Sequence, residues 1–174
     1  MNMVYIVFYR EGSHSLKGIL VMSLLVLIIT GCSNVNDNKL KWFKTQDEAI
    51  NQGIREGDLN KKENIIGKIK ENGETFVFYK LEEEKKDIVV GMANLAKQDG
   101  KYAWYRDNAN IGIKSGNNPS TPVSWDTETR SGKKFTAYTG TTEAENIPIE
   151  TETGEVTPQI NKKFGIYYYI EPRK

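Results

Sequence analysis

The chain has 174 residues, a formal net charge of +1, one cysteine and one histidine. This length corresponds to a single domain, and one cysteine excludes both an intramolecular disulfide and a cysteine-rich zinc site. The near-neutral charge argues against a nucleic-acid-binding protein, because such domains carry a clear excess of lysine and arginine.

An apolar segment lies near the beginning of the chain, where residues 18–29 read GILVMSLLVLII after the positive charge of Lys17. A transmembrane helix needs about 17–25 apolar residues, so this run is too short. A buried core helix would have a polar face, and here only Ser23 interrupts the run. The order of positive flank, apolar run and small residues predicts a secretory signal peptide over residues 1–31.

The signal peptide ends in Ile29, Thr30 and Gly31, which are followed by Cys32. These four residues resemble the lipobox of bacterial lipoproteins: a branched aliphatic residue, a small residue, glycine and cysteine. The resemblance covers only the leader and Cys32. It implies cleavage after Gly31 and a diacylglycerol on the Cys32 sulfur, which would anchor the protein to the cell membrane on its extracytoplasmic face. Two or more acyl chains anchor a protein stably, whereas a single chain is marginal.

The leader is longer at its beginning than lipoprotein leaders usually are, because sixteen residues precede Lys17. A start at Leu16, if its codon served as an initiator, would give a more ordinary leader. We therefore hypothesise that residues 1–15 are an upstream misreading of the gene.

Residues 32–174 form the expected mature chain, with 22 basic and 22 acidic residues and no histidine. Without histidine or a free thiol this chain has no Ser-His or Cys-His nucleophile and no imidazole or thiolate ligand for a metal. We expect no enzymatic activity, no metal site and no cofactor beyond the covalent lipid. Residues 32–41 are polar and predict a lipidated tether.

Residues 42–174 are predicted to form one α+β domain that begins with its only helix. A capping box of Thr45 and Glu48, followed by apolar residues at helical spacing, predicts a helix over residues 46–56. The pattern then alternates, and Asn72-Gly73 predicts a tight hairpin. We expect an antiparallel meander of six to eight strands, with closure into a barrel left open. The predicted strands cover residues 65–70, 75–81, 88–93, 102–105, 111–113, 135–140, 147–151 and 164–170, with a loop over 115–122.

Aromatic residues on or beside these strands are the main candidates for a binding surface. Exposed rings could stack on sugars or clamp a peptide, and Asp107, Asn108 and Asn110 could supply hydrogen bonds. The alternative is that the rings fill the sheet core, since aromatic residues favour strands. The candidate surface consists of Trp104, Tyr105, Trp125 and Tyr168, with Tyr138, Tyr167 and Tyr169 beside it.

Two charged groups offer further possibilities. The first is acidic and lies in the threonine- and glutamate-rich stretch over residues 139–157. Two of its carboxylates could serve a glycosidase, or several could bind Ca²⁺. The spacing matches no Ca²⁺ loop, however, and the composition favours a solvated loop. The acidic residues of this stretch are Glu143, Glu145, Glu150, Glu152 and Glu155.

A second group is basic and could form a small anion-binding patch, or its members could be edge-strand lysines that prevent aggregation. The basic residues are Arg130, Lys133, Lys134, Lys162 and Lys163. Ser131-Gly132-Lys133-Lys134 is no P-loop and predicts a hairpin tip with solvated charges.

In size and layout the expected mature domain resembles the small lipoproteins of Gram-positive bacteria. We therefore expect a membrane-anchored binding or interaction module whose partner is a cell-wall polymer or a protein. The alternatives are a cell-wall hydrolase that uses two facing carboxylates, and an inhibitor or immunity protein against a secreted toxin.

Overall fold

The computed structural model describes residues 40–81, 88–108, 110–113 and 121–173. The predicted signal peptide, the lipobox with Cys32 and most of the tether lie outside the described residues, as does most of the predicted loop over 115–122. Within the described ranges, no helix is both long and apolar enough to cross a membrane.

The α-helix α1 spans Gln46–Arg55 and confirms the predicted capping box. The Thr45 hydroxyl accepts the backbone N–H of Glu48 at 3.2 Å, and the Glu48 carboxylate accepts the N–H of Thr45 at 3.1 Å. Ala49 and Ile50 form its buried face. The helix therefore follows the predicted tether and opens the described fold, but it does not stand at the N-terminus of the chain. A 3₁₀ helix over Lys62–Asn64 leads into the first strand.

Five strands form the first sheet, sheet 1, in which β1, β2, β3 and β4 lie in that order. The strand β5 pairs with the beginning of β3, whereas β4 pairs with its end. Positive φ angles at Asn72 and Gly73 confirm the predicted β1–β2 turn, and Asp99 and Gly100 turn β3 into β4 in the same way. The bounds are β1 Ile65–Glu71, β2 Glu74–Leu81, β3 Ile88–Gln98, β4 Lys101–Tyr105 and β5 Ile111–Ile113.

Four strands form sheet 2 in the order β10-β11-β7-β6, and β8 and β9 form a separate hairpin. The C-terminal strand β11 thus lies between β10 and β7, which is not meander connectivity. The bounds are β6 Val123–Glu128, β7 Lys134–Thr141, β8 Ile149–Thr151, β9 Gly154–Val156, β10 Gln159–Asn161 and β11 Ile166–Pro172.

The described chain is therefore mostly antiparallel β-structure with one α-helix, which agrees with the α+β prediction in its coarse form. The prediction of a single meander was wrong, because the strands divide between two sheets and a hairpin. Eleven strands occur among the described residues instead of six to eight, and these strands do not close into a barrel. The strands β9 and β10 are only three residues long, and β6 has only two apolar residues, Val123 and Trp125, so the apolar pattern did not predict these three strands.

The elements stack in four layers: α1, sheet 1, sheet 2 and the β8–β9 hairpin. Phe76 and Phe78 of sheet 1 meet Phe135 and Tyr168 of sheet 2 in the central core. The outer face of sheet 1 packs against α1, and the outer face of sheet 2 packs against the hairpin. Because both faces are covered, β3 is buried from Val89 to Ala96 and has the largely apolar sequence of an internal strand, which only Asn94 interrupts.

Four buried aromatic rings lie directly over glycines. A Cβ built on Gly91 would come within 2.3 Å of Tyr79, and one on Gly140 within 2.2 Å of Tyr167. In each of these pairs the tyrosine and the glycine lie directly opposite each other on neighbouring strands. The absent side chains provide the space that these rings fill. The other two pairs are Gly67 with Tyr168 and Gly53 with Trp104.

Candidate functional site

The predicted aromatic surface is not assembled, because two of its four members are core residues. Trp104 is 4% exposed and Tyr168 is 6% exposed. Trp104 packs between α1 and Tyr79, and its Nε1 donates to Asp58 at 3.0 Å. Tyr168 packs against Phe78 between the sheets, and its hydroxyl donates to Gln159. An exposed platform containing these two rings was therefore a wrong prediction.

The other two members, Tyr105 and Trp125, are half-buried. Trp125 packs on the central core, with its ring centroid 6.3 Å from that of Phe78 in an edge-to-face arrangement. Tyr105 ends β4, and burial raises its pKa, with a further increase from the negative charges of Asp107 and Glu128. The positive charge of Arg130 partly offsets this increase of the Tyr105 pKa.

A cleft, which we call the β6 cleft, has a volume of about 270 Å³ and is lined by charged and hydroxyl side chains. It lies where the loop between β4 and β5 meets the edge strand β6. Ligand pockets for drug-sized molecules run from about 300 to 1,000 Å³ and are mostly apolar, so this cleft suits a small polar group. Its lining residues are Asp107, Asp126, Thr127, Glu128, Lys134 and Arg173.

Side chains of the β4–β5 loop satisfy the free edge of β6. The Asp107 carboxylate accepts a hydrogen bond from the backbone N–H of Glu128 and another from the Thr127 hydroxyl, the latter at 2.9 Å. Asn108 Nδ2 donates to the Asp126 carbonyl at 2.8 Å. Unpaired edge groups otherwise invite pairing with another strand. The loop therefore protects the edge and at the same time forms one wall of the cleft.

Arg106 fixes this loop to the rest of the domain. Its Nη1 forms an ion pair with Asp58, just beyond α1, and its Nη2 donates to the Asn108 carbonyl and to Asn110 Oδ1, both at 2.9 Å. Asp58 also accepts the indole N–H of Trp104. The loop is thus held by a charge-assisted network of the kind that is stronger than neutral hydrogen bonds.

The opposite wall carries both signs of charge. Asp126 accepts the Thr136 hydroxyl at 3.3 Å and forms an ion pair with Arg173, which follows β11. Glu128 and Lys134 are exposed and stand opposite each other in the β6–β7 register. Three carboxylates and two cations therefore face one small volume, a combination that can bind a ligand with both an ammonium and an acidic group.

Some of the remaining charged candidates have structural partners. Lys133 is not a freely solvated tip, because its Nζ donates to the Asn72 carbonyl at 2.8 Å and lies 3.4 Å from Glu74. Lys162 pairs with Glu145 at an exposed position. Glu150 and Glu155 oppose each other in the β8–β9 hairpin. No cluster of three or more potential metal ligands occurs in the described part of the chain.

The carboxylate of Glu171 is buried, and its side-chain hydrogen-bond donors are neutral hydroxyl groups. Its oxygens accept hydrogen bonds of 2.6 Å from the hydroxyls of Tyr138 and Thr153. Burial raises the pKa of Glu171, but the hydrogen bonds from Thr153, Tyr138 and Thr151 outweigh that effect and lower the pKa below 4.5. Burial and the bond to Glu171 raise the pKa of Tyr138 to about 12. This network ties the hairpin to sheet 2.

Sequence reasoning found one wall of the β6 cleft, since Asp107 and Asn108 were singled out as hydrogen-bonding residues beside Tyr105. It missed Asp126, Thr127, Glu128 and Arg173, which β6 and the end of β11 bring to the same place. The alternation of outward polar residues in Ser124, Asp126 and Glu128 was the available signal.

Comparison with known proteins adds no relative. No protein-family model, curated protein or solved structure matches this chain.

Proposed function

We propose that this protein is a lipid-anchored, extracytoplasmic binding module. The lipobox-like sequence that ends at Cys32 supports the anchor. The mixed-charge β6 cleft is the observation that carries the binding role, and its small, polar lining favours a zwitterionic group of a peptide or a cell-wall polymer.

The anchor is tested by growing cells with a clickable fatty acid. The protein should take up the label, and the Cys32→Ala variant should lose it, because the thiol is the attachment point. Label that persists in Cys32→Ala would refute lipidation at this residue.

The cleft is tested by co-sedimentation of the protein with purified insoluble cell wall. Glu128→Gln and Lys134→Gln should each weaken binding several-fold, because both charged groups are exposed at the cleft. Lys68→Gln on β1 is the matched control, since Lys68 is also exposed but outside the cleft lining. Equal binding by all three variants would remove the cleft from the function.

A carboxylate-dependent hydrolase is the second candidate, because Asp107, Asp126 and Glu128 share the cleft. Glycosidases need two carboxyl groups about 5–9.5 Å apart. Release of soluble fragments from the same cell-wall polymer by the protein, and its loss in Glu128→Gln, would favour this reading. Binding without fragment release would favour the binding module.

A further inference from the structure

The chain covers part of two sheet edges with its own residues. At the β4 edge of sheet 1, the backbone groups of Tyr102 bond those of Phe43, at 2.7 and 2.8 Å in the two directions. At the β6 edge of sheet 2, Asp107 and Asn108 bond the backbone. The other edge of sheet 1 is β1. There the Ile66 carbonyl accepts Asn161 Nδ2 at 2.7 Å, and the strand continues beyond this bond to Glu71.

The register of β1 shows which of its backbone groups face outward. A two-residue turn joins β1 to β2, so the closing pair Glu71 and Glu74 exchanges backbone hydrogen bonds. Alternation then directs the N–H and carbonyl of Ile69 toward β2 and those of Lys68 and Lys70 away from it. These four outward groups have no hydrogen-bond partner among the described residues. Lys68 to Lys70 is therefore an open stretch of sheet edge.

The side chains on this stretch carry two positive charges on one face. Lys68 and Lys70 are both exposed, and their spacing of two residues places them on the same side of the sheet. The residues directly opposite them on β2 are the uncharged Val77 and Thr75. Neither ammonium forms an ion pair within the part of the chain that the structure describes.

The carboxylates of β1 and its neighbouring segments do not neutralise this pair. Glu71 alternates to the opposite face of β1. Glu74 lies on that opposite face as well, and it forms an ion pair with Lys133 at 3.4 Å. Glu63 belongs to the 3₁₀ helix before the strand. The open backbone and the two charges therefore coincide on one short piece of β1.

From these observations we propose that β1 binds an extended segment of a partner protein as an added antiparallel strand, with acidic residues at two alternate positions of that segment. In an antiparallel pair, the residues opposite Lys68 and Lys70 exchange both backbone hydrogen bonds with them. Directly opposite residues also share a face of the sheet, so acidic side chains at these positions lie against the two ammonium groups. The residue between them faces the other side.

A second copy of this chain fits the edge poorly. If two β1 strands paired antiparallel about Ile69, each lysine would lie opposite a lysine of the other copy, and like charges in that position are destabilising. The acidic segment is therefore the occupant that the charges favour. The proposal depends neither on the lipid anchor nor on the β6 cleft.

Peptide titration of the full-length protein, read out by amide hydrogen exchange in NMR spectra, tests the proposal. The probe is a synthetic heptapeptide of threonine and valine with glutamate at two alternate central positions, and a second peptide has lysine in place of each glutamate. The glutamate peptide should slow exchange of the Lys68 and Lys70 amides several-fold, because these N–H groups gain acceptors. Exchange at Ile69 should change little, since its N–H already bonds β2. The lysine peptide should have no effect.

N-methylation of the glutamate peptide distinguishes strand addition from simple ion pairing. A methyl group on the backbone nitrogen of either glutamate removes a hydrogen bond to β1 and should abolish the protection. A methyl group on the residue between them should be tolerated, because that N–H points away from β1. Protection that survives methylation at both glutamates would overturn the added strand.

Charge reversal provides the matched control. Lys68→Glu/Lys70→Glu should bind the glutamate peptide about tenfold more weakly and should bind the lysine peptide instead. Lys97→Glu/Lys101→Glu, at exposed positions beside the β3–β4 turn, should keep the original preference. Equal affinity of the unsubstituted protein for both peptides would overturn the acidic specificity. Binding of neither peptide would mean that the two lysines only keep this edge from pairing, and it would overturn the proposal as a whole.

Discussion

Replacing Gly53 by alanine tests how closely α1 packs on sheet 1. Gly53 is buried inside the helix, and a Cβ at this position would lie 2.4 Å from Trp104 Cε2. The indole cannot move freely, because its Nε1 is bonded to Asp58 and its ring centroid lies 5.7 Å from that of Tyr79. The added methyl group must therefore displace the helix or the ring.

Two effects of opposite sign decide the outcome. Glycine in a helix interior costs about 0.5–1 kcal/mol relative to alanine, so propensity alone predicts that Gly53→Ala stabilises the protein. Overpacking a well-packed core costs about 1–3 kcal/mol. Carbon atoms normally approach to about 3.5–4.0 Å, so the 2.4 Å contact places this site in the upper half of that range. We expect a net loss of about 1–2 kcal/mol and a thermal midpoint lower by about 2–8 °C.

Urea unfolding followed by tryptophan fluorescence measures this loss. The decisive control is the same substitution in a Trp104→Leu background, where the clash is absent and the propensity gain remains. There Gly53→Ala should stabilise by about 0.5–1 kcal/mol. Stabilisation in the native background, or the same loss in both backgrounds, would show that the close contact does not govern this site.

The other predictions concern buried hydrogen bonds. Tyr167→Phe should stabilise the fold by about 1 kcal/mol, because its buried hydroxyl has no partner among the described residues; a lower thermal midpoint would contradict this. Tyr138→Phe should instead cost about 1–3 kcal/mol in urea unfolding, because it removes a donor to buried Glu171. Because its pKa is lowered, ionised Glu171 stabilises the folded state above pH 4.5, and this stabilisation is lost as the pH falls through the lowered pKa. The free energy of unfolding of Glu171→Gln should therefore depend less on pH below 4.5 than that of the unsubstituted protein. Identical pH profiles of the two proteins would refute the assignment. Asp107→Ala should speed hydrogen exchange of the Glu128 amide, whereas unchanged exchange would mean that the loop does not protect the edge.

Local features of the fold were predictable from the sequence. The capping box of Thr45 and Glu48 and the turns at Asn72-Gly73 and Asp99-Gly100 depend on a few adjacent residues, and all three occur. The position of β11 between β10 and β7 was not predictable, because antiparallel pairing of distant strands leaves no local signal. For the same reason the sequence could not indicate that the strands divide into two sheets.

The aromatic residues show how a correct element assignment can lead to a wrong surface. Tyr79 and Tyr167 lie on strands, yet their cross-strand partners Gly91 and Gly140 provide the space for their rings. A strand residue opposite a glycine can fold its ring over that position and become buried. Register is needed to recognise such pairs, and it is not available from the alternation pattern alone. Most of the aromatic residues in the described part of the chain therefore build the core.

At the β6 edge, residues that satisfy the backbone also line the cleft to which we assign the proposed binding role. Asp107 both satisfies the backbone of β6 and lines the cleft, so under the proposed binding role its removal should change stability and ligand affinity together. Glu128 and Lys134 line the same cleft but are exposed, and their charges can be removed at little cost to the fold, since surface substitutions usually change stability by less than about 0.5 kcal/mol. Variants at these two positions are therefore the ones that separate a binding role of the cleft from its role in protecting the edge.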